Sequence, residues 1–182
     1  MQGTRADRRK RIIIECLFIL LLAVLVFVDQ ITKKHFSSTI KYGESVPIID
    51  GFFYFSYYIN TGAAWSFLSG VSWAQTFFKV LTAVALVLFV IFYVFAIKKN
   101  YKWLKVSLIL IISGTLGNFI DRLILNGVID FISFVFGSYH FPVFNLADSF
   151  LVVGVIMLLI HFLFIDEGAI FKKKDGKENT DK

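Results

Sequence analysis

Four aspartates, Asp29, Asp121, Asp130 and Asp148, each stand in or beside a long apolar run where a carboxylate is expensive. An Asp at the centre of a membrane helix costs about 2.5–3.5 kcal/mol, and less toward the boundary, so such acids are paired, hydrated or used. Two of them a few ångströms apart at a water–lipid boundary have a definite chemistry. Like charges so close do not both ionise easily, so one keeps a proton while the other can take one from water. The charged member activates a water against an amide carbonyl; the protonated member polarises that carbonyl and then serves the leaving amine. Such a pair titrates as a unit, and the residues alone leave open which Asp holds the proton.

Each acid also has a plainer reading. Asn145 and Asp148, three apart at the head of an apolar run, form an N-cap and an acidic first turn. Asn118, Asp121 and Arg122 share one helical face, where Asp121 and Arg122 can belong to an ion-paired network. Asp130, in an apolar loop, has no charged partner near it in sequence and is harder to explain as scaffolding. Competing site chemistries find little support: no His-Glu-x-x-His, nucleophile-elbow Gly-x-Ser-x-Gly or second Cys is present. His35 and His140 lie outside the apolar runs, and His161 reads as a packed polar residue within one. An Asp/His metal site using His140 lacks a recognisable ligand spacing, and no metal or cofactor is expected.

The elements that position these acids follow from composition. The 182-residue chain is 57% hydrophobic and 18% charged, with 22 Phe, 2 Pro and 1 Cys, which excludes a water-soluble globule and a disulfide-stapled scaffold. The stretches 12–28, 80–97, 106–120 and 149–165 are almost free of charge and close to bilayer length, and read as four spans. Most of the 19 Lys and Arg fall in clusters at 5–11, at 98–105 and in the tail. Cytoplasmic placement of these clusters puts both termini and the 98–105 loop inside, with 29–73 and 122–142 on the other face. Counted at roughly 1.5 Å per residue, Asp29, Asp121 and Asp148 then stand about 27, 24 and 26 Å up their spans, in one layer near the outer boundary.

Residues 51–78 also lack charge, but a fifth span would part the basic termini. The run from Phe52 to Ile59 is aromatic and strand-like, and Asn60-Thr61-Gly62 is turn chemistry. We read a small outer sheet on the membrane interface, serving as a substrate cradle or, more simply, as an aromatic belt. No small-x-small cleavage site follows Val28, so the first span is expected to stay attached. The expected architecture is a mainly α membrane protein, a four-transmembrane-helix bundle with a small extracytoplasmic β-sheet cradle. Its parts are a basic cytoplasmic segment at 1–11, a membrane domain at 12–165 with the cradle at about 36–66, and a Lys-rich cytoplasmic tail at 166–182. A small polytopic transporter or proton-conducting protein is the alternative, but it would want polar groups through the full depth, and the second span offers little beyond Thr82.

Five strings, in order, resemble the motifs of the lipoprotein signal peptidase (signal peptidase II) family of bacterial membrane aspartyl proteases. They are Val28-Asp29-Gln30-Ile31-Thr32-Lys33, Asn60-Thr61-Gly62-Ala63-Ala64-Trp65-Ser66, Gly117-Asn118-Phe119-Ile120-Asp121-Arg122, Val128-Ile129-Asp130-Phe131 and Phe144-Asn145-Leu146-Ala147-Asp148-Ser149. The resemblance implies a catalytic dyad of Asp130 and Asp148. It implies substrate contacts from Asn60, Gly62, Asn118, Asn145 and Asp29, and architectural support from Asp121, Arg122 and Lys33. The implied substrate is a diacylglyceryl-modified prolipoprotein, cut on the amino side of its lipidated Cys in the bacterial cytoplasmic membrane, with the site near the outer face. No cofactor, metal or nucleic acid is implied. Membrane lipid and cyclic peptide antibiotics of the globomycin type are the other expected partners of a monomeric enzyme.

Overall fold

A computed structural model of the chain describes residues 5–62, 71 and 73–165. The elements are α1 (Arg5–Thr39), β1 (Ser45–Ile49), β2 (Phe53–Asn60), α2 (Ala74–Lys99), α3 (Lys102–Leu125), β3 (Val128–Phe136), β4 (Tyr139–His140) and α4 (Leu146–Ile160), continued by a π-helical turn at His161–Ile165. Four helices are long and apolar enough to cross a membrane, as the sequence predicts. α1, α2 and α4 turn large apolar side chains outward along most of their length, which fits helices bathed in lipid. α3 is different: it packs against each of the other three and buries Leu104, Leu108, Ile111, Gly114 and Asn118.

Close packing around α3 depends on residues without side chains. A Cβ at Gly114 would run into the carbonyl oxygen of Ala147, and one at Gly117 into the carboxylate of Asp29. Small residues let membrane helices approach until backbone and polar groups touch, and these two glycines bring α1 and α4 against α3 at the level of the candidate acids.

The strands form one antiparallel sheet in the order β1-β2-β3-β4 at the end of the bundle where α1 and α3 finish and α2 and α4 begin. Two expectations need correction here. Asp130 lies not in a loop but in β3, opposite Tyr58 of β2; the β-branched and aromatic run Val128–Phe136 carried that signal. The cradle also begins later than residue 36, because α1 continues to Thr39 and plants Phe36 on the sheet, stacked 4.5 Å from Phe131 and 4.4 Å from Phe55. The motif residues 63–66, the termini 1–4 and the tail 166–182 lie outside the described residues.

Candidate active site

α3 ends at Leu125 with Asn126 in the left-handed conformation, φ 55°, and the chain turns directly into β3. Cross-strand geometry then selects the first polar contact to Asp130. Asn60 pairs with Val128 and Tyr58 with Asp130, so Asn60 and Asp130 are diagonal neighbours on one face. Asn60 Nδ2 donates to Asp130 Oδ2 at 3.2 Å, while Gly62 N–H donates to Asn60 Oδ1 at 2.9 Å and orients the amide. Gly62 thus shapes the turn that carries Asn60.

The second acid arrives through the backbone of Phe144. Its carbonyl accepts from the N–H groups of Phe131 and Ile132 at 3.0 and 2.7 Å, clamping the entry to α4 onto β3 beside Asp130. Asn145 follows as the N-cap of α4: its side chain accepts from Asp148 N–H at 3.0 Å, and its own N–H donates to Asp148 Oδ2 at 3.1 Å. The capping reading of Asp148 is therefore met, and the capping residue Asn145 also bonds Asp130.

Two asparagine amides bridge the acids. Asn145 Nδ2 lies 2.7 Å from Asp130 Oδ1, 3.1 Å from the carbonyl of Ile129 and 3.1 Å from Asn118 Oδ1. Asn118 Nδ2 donates to Asp148 Oδ1 at 2.7 Å. Asp130 is 4% exposed and Asp148 half-buried. Burial first, and then the charge of Asp148, push the Asp130 carboxyl up to about 7, against the hydrogen bonds from Asn60 and Asn145 and the field of Lys33. A buried carboxyl next to a second one, with a helix N-terminus favouring charge on Asp148, has the parts of an acid–base pair.

Behind the acids lies a second layer. Asp29 is 0% exposed; its Oδ1 accepts from Ala147 N–H at 2.9 Å, and its Oδ2 pairs with Lys33 Nζ at 2.9 Å. Both oxygens are engaged within the protein, so Asp29 supports the start of α4 and is not open to substrate, a correction to the sequence expectation. Asp121 is paired too, with Lys33 at 3.0 Å, while Arg122, expected in the same ion-paired network, makes no salt bridge among the described residues. Lys33 wins because α1 delivers its ammonium between α1 and α3, whereas Arg122 turns toward α2, its guanidinium 5.6 Å from the Phe78 ring centroid. Asn118 and Asn145 are buried between the acids, and their amides face protein partners.

Gln30 escaped the sequence reading. Its Nε2 donates to Asp121 Oδ1 at 3.0 Å and to the Gly117 carbonyl at 3.1 Å, locking α1 to α3. Its place next to Asp29 in the first motif was the available signal. Among the described residues no group of three or more His, Cys, Asp or Glu is arranged to hold a metal ion.

The family profile described as Signal peptidase (SPase) II matches residues 21–164. A lipoprotein signal peptidase of Bacillus pumilus (strain SAFR-032) is 45% identical over 140 residues, covering 77% of this chain and 88% of its own. One of Bacillus subtilis (strain 168) is 39% identical over 159 residues, covering 87% and 99%. A solved bacterial membrane enzyme superimposes with a TM-score of 0.71 at 36% identity, over 88% of this chain and 94% of that one.

Proposed function

Because the chain belongs to the signal peptidase II family of membrane proteases, we propose that it cleaves diacylglyceryl-modified prolipoproteins on the amino side of the lipidated Cys by acid–base catalysis between Asp130 and Asp148. Asp148, held by N–H donors at a helix N-terminus, is the ionised base; Asp130, the more buried of the two, holds the proton. Water between them loses a proton to Asp148 as its oxygen attacks the scissile carbonyl, and Asp130 donates to the developing oxyanion. Collapse of the tetrahedral intermediate breaks the C–N bond as Asp148 gives its proton to the Cys amine and Asp130 takes one back from a hydroxyl of the intermediate. The products are a signal peptide ending in a carboxylate and a lipidated Cys with a free amine.

One observation carries this reading: Asn145 bonds both carboxylates, Asp130 through its side chain and Asp148 through its backbone N–H. That bridge ties two acids from different elements into one proton-sharing cluster. Asn60, oriented by the Gly62 N–H, is the polar group that β2 adds to the pair, and there it would meet the peptide. The positive-inside pattern of the sequence supports a cytoplasmic-membrane enzyme with both termini inside and the site near the outer face, where the lipid anchor presents the scissile bond. Globomycin-type cyclic peptides would act by occupying the dyad, and nothing in the mechanism requires a second copy.

The test is to follow signal-peptide release from diacylglyceryl-modified prolipoprotein in detergent, with wild type, Asp130→Asn and Asp148→Asn, and unlipidated precursor as the specificity control. Asn keeps the shape and removes the ionisable group, so both variants should be inactive. Full activity in either one defeats the dyad.

A further inference from the structure

Lys33 is 1% exposed, and its ammonium meets three acceptors: Asp29 at 2.9 Å, Asp121 at 3.0 Å and Asn118 Oδ1 at 2.9 Å. Three N–H groups and three partners leave no donor over. Balancing two buried carboxylates explains the first two contacts. The third points away from them, toward the acids. Asn118 Oδ1 also accepts from Asn145 Nδ2 at 3.1 Å, so this carbonyl sits between two donors. Reversing the Asn118 amide would set its NH2 group against the ammonium and against the NH2 of Asn145, and would present an oxygen to the Asp148 carboxylate. The ammonium therefore decides which end of Asn118 faces Asp148, and Nδ2 lies 2.7 Å from Asp148 Oδ1 as a result. The same carbonyl steadies Asn145, whose Nδ2 reaches Asp130.

Resting on the dyad assignment above, we propose that Lys33 is a positioning residue for the reaction: its bond into Asn118 Oδ1 orients the asparagine bridge and keeps Asp148 the ionised member of the pair. The charged groups facing this arrangement are Asp29 from α1, Asp121 and Arg122 from α3, Asp148 from α4 and Asp130 from β3. Lys33 is the cation bonded directly into the bridge. Removing it takes a stabilising field from both acids at once, so both limbs of the bell-shaped pH profile move the same way, to higher pH.

The experiment measures kcat and KM against pH for Lys33→Met with diacylglyceryl-modified prolipoprotein, together with Asn118→Ala and the combined variant. Lys33→Met should lower kcat about ten- to a hundredfold, the scale of one lost hydrogen bond in a charged buried network, with little change in KM. Its profile should move up by about one pH unit, as expected for one charge removed at this range. The combined variant should be no worse than Asn118→Ala, since both changes break one path. If Lys33 is only a structural counter-ion, its field still moves the profile but the two losses multiply in the combined variant, and that result overturns the proposal. Should Lys33→Met not fold, Lys33→Met with Asp29→Asn keeps the net charge of the cluster, and wild-type kcat there overturns it equally. Activity in Asp130→Asn or Asp148→Asn would instead sink the dyad itself, whatever Lys33 does.

Discussion

Among the described residues, two ion-paired clusters are buried, at opposite ends of the helices. Near the two-residue link between α2 and α3, Lys105 Nζ pairs with Glu15 Oε1 at 2.6 Å, and Tyr93 donates to Glu15 Oε2 at 2.9 Å. At the sheet end, Lys33 is shared by Asp29 and Asp121, and Asp130 and Asp148 stand beyond them, linked by asparagine amides. The first cluster closes on itself: one cation, one anion and a phenol, packed against Phe18 and the apolar core around Leu104 and Leu108. The second sets four carboxylates against two cations, Lys33 in direct contact and Arg122 at longer range. Buried charge by itself marks structure as readily as chemistry, and an unbalanced surplus of ionisable groups is what distinguishes a site.

Exchanging the expected consequences of the two clusters would break that comparison. Asp130→Asn and Asp148→Asn should each lose about 10²–10⁴-fold in kcat, the range of one general acid or base, with thermal unfolding in detergent close to wild type. Glu15→Gln should do the reverse. Breaking a buried pair costs about 3–5 kcal/mol, and the low end applies because the Glu15 side chain is 22% exposed; kcat should stay near wild type in the folded fraction. Gly117→Ala joins the two effects: its methyl group meets the Asp29 carboxylate, so about 1–3 kcal/mol of overpacking should accompany a fall in activity as the start of α4 is displaced.

The pH dependence sharpens the contrast further. Asp130 must be protonated to act as the acid, so kcat/KM should fall as pH rises through about 7, with no matching limb from the Glu15 cluster. The same elevation ties stability to pH: between 3.8 and about 7 the folded protein holds a proton that the unfolded chain has released, so stability should decline as pH rises across that window. Unfolding midpoints across this range check the sign. The smallest effect is expected at Cys16, exposed on the apolar flank of α1, where Cys16→Ser should change stability by no more than about 0.5 kcal/mol.

Much of the architecture was legible in the sequence because lipid imposes a one-dimensional rule. Uncharged runs of bilayer length bounded by basic clusters mark helices whatever their neighbours are, and the aromatic run before Asn60 marked a strand. Asp130 was misplaced in a loop because the β-branched and aromatic run Val128–Phe136, lying between two spans, was read as a connection; pairing with β2 is what makes it a strand. Lys105 was grouped with the surface lysines for a similar reason. Its partner Glu15 is 90 positions away, and only the packing of α1 on α3 joins them.

The candidate site divides along the same line. Residue types, the motif order and the cost of an acid in lipid picked out Asp29, Asn60, Asn118, Asp121, Asp130, Asn145 and Asp148, and the Asn145 cap was readable from a three-residue spacing. Their partners were not. Asp121 has an arginine as its next neighbour in sequence and a lysine from another helix as its partner in space. Asp29, 118 positions before Ala147, holds the N-terminus of a helix it never meets along the chain. Hydropathy and propensity act between neighbours, so they decide where helices, strands and costly groups must be. A hydrogen bond requires atoms within about 3 Å and aligned, and for residues this far apart only the folded arrangement sets that distance.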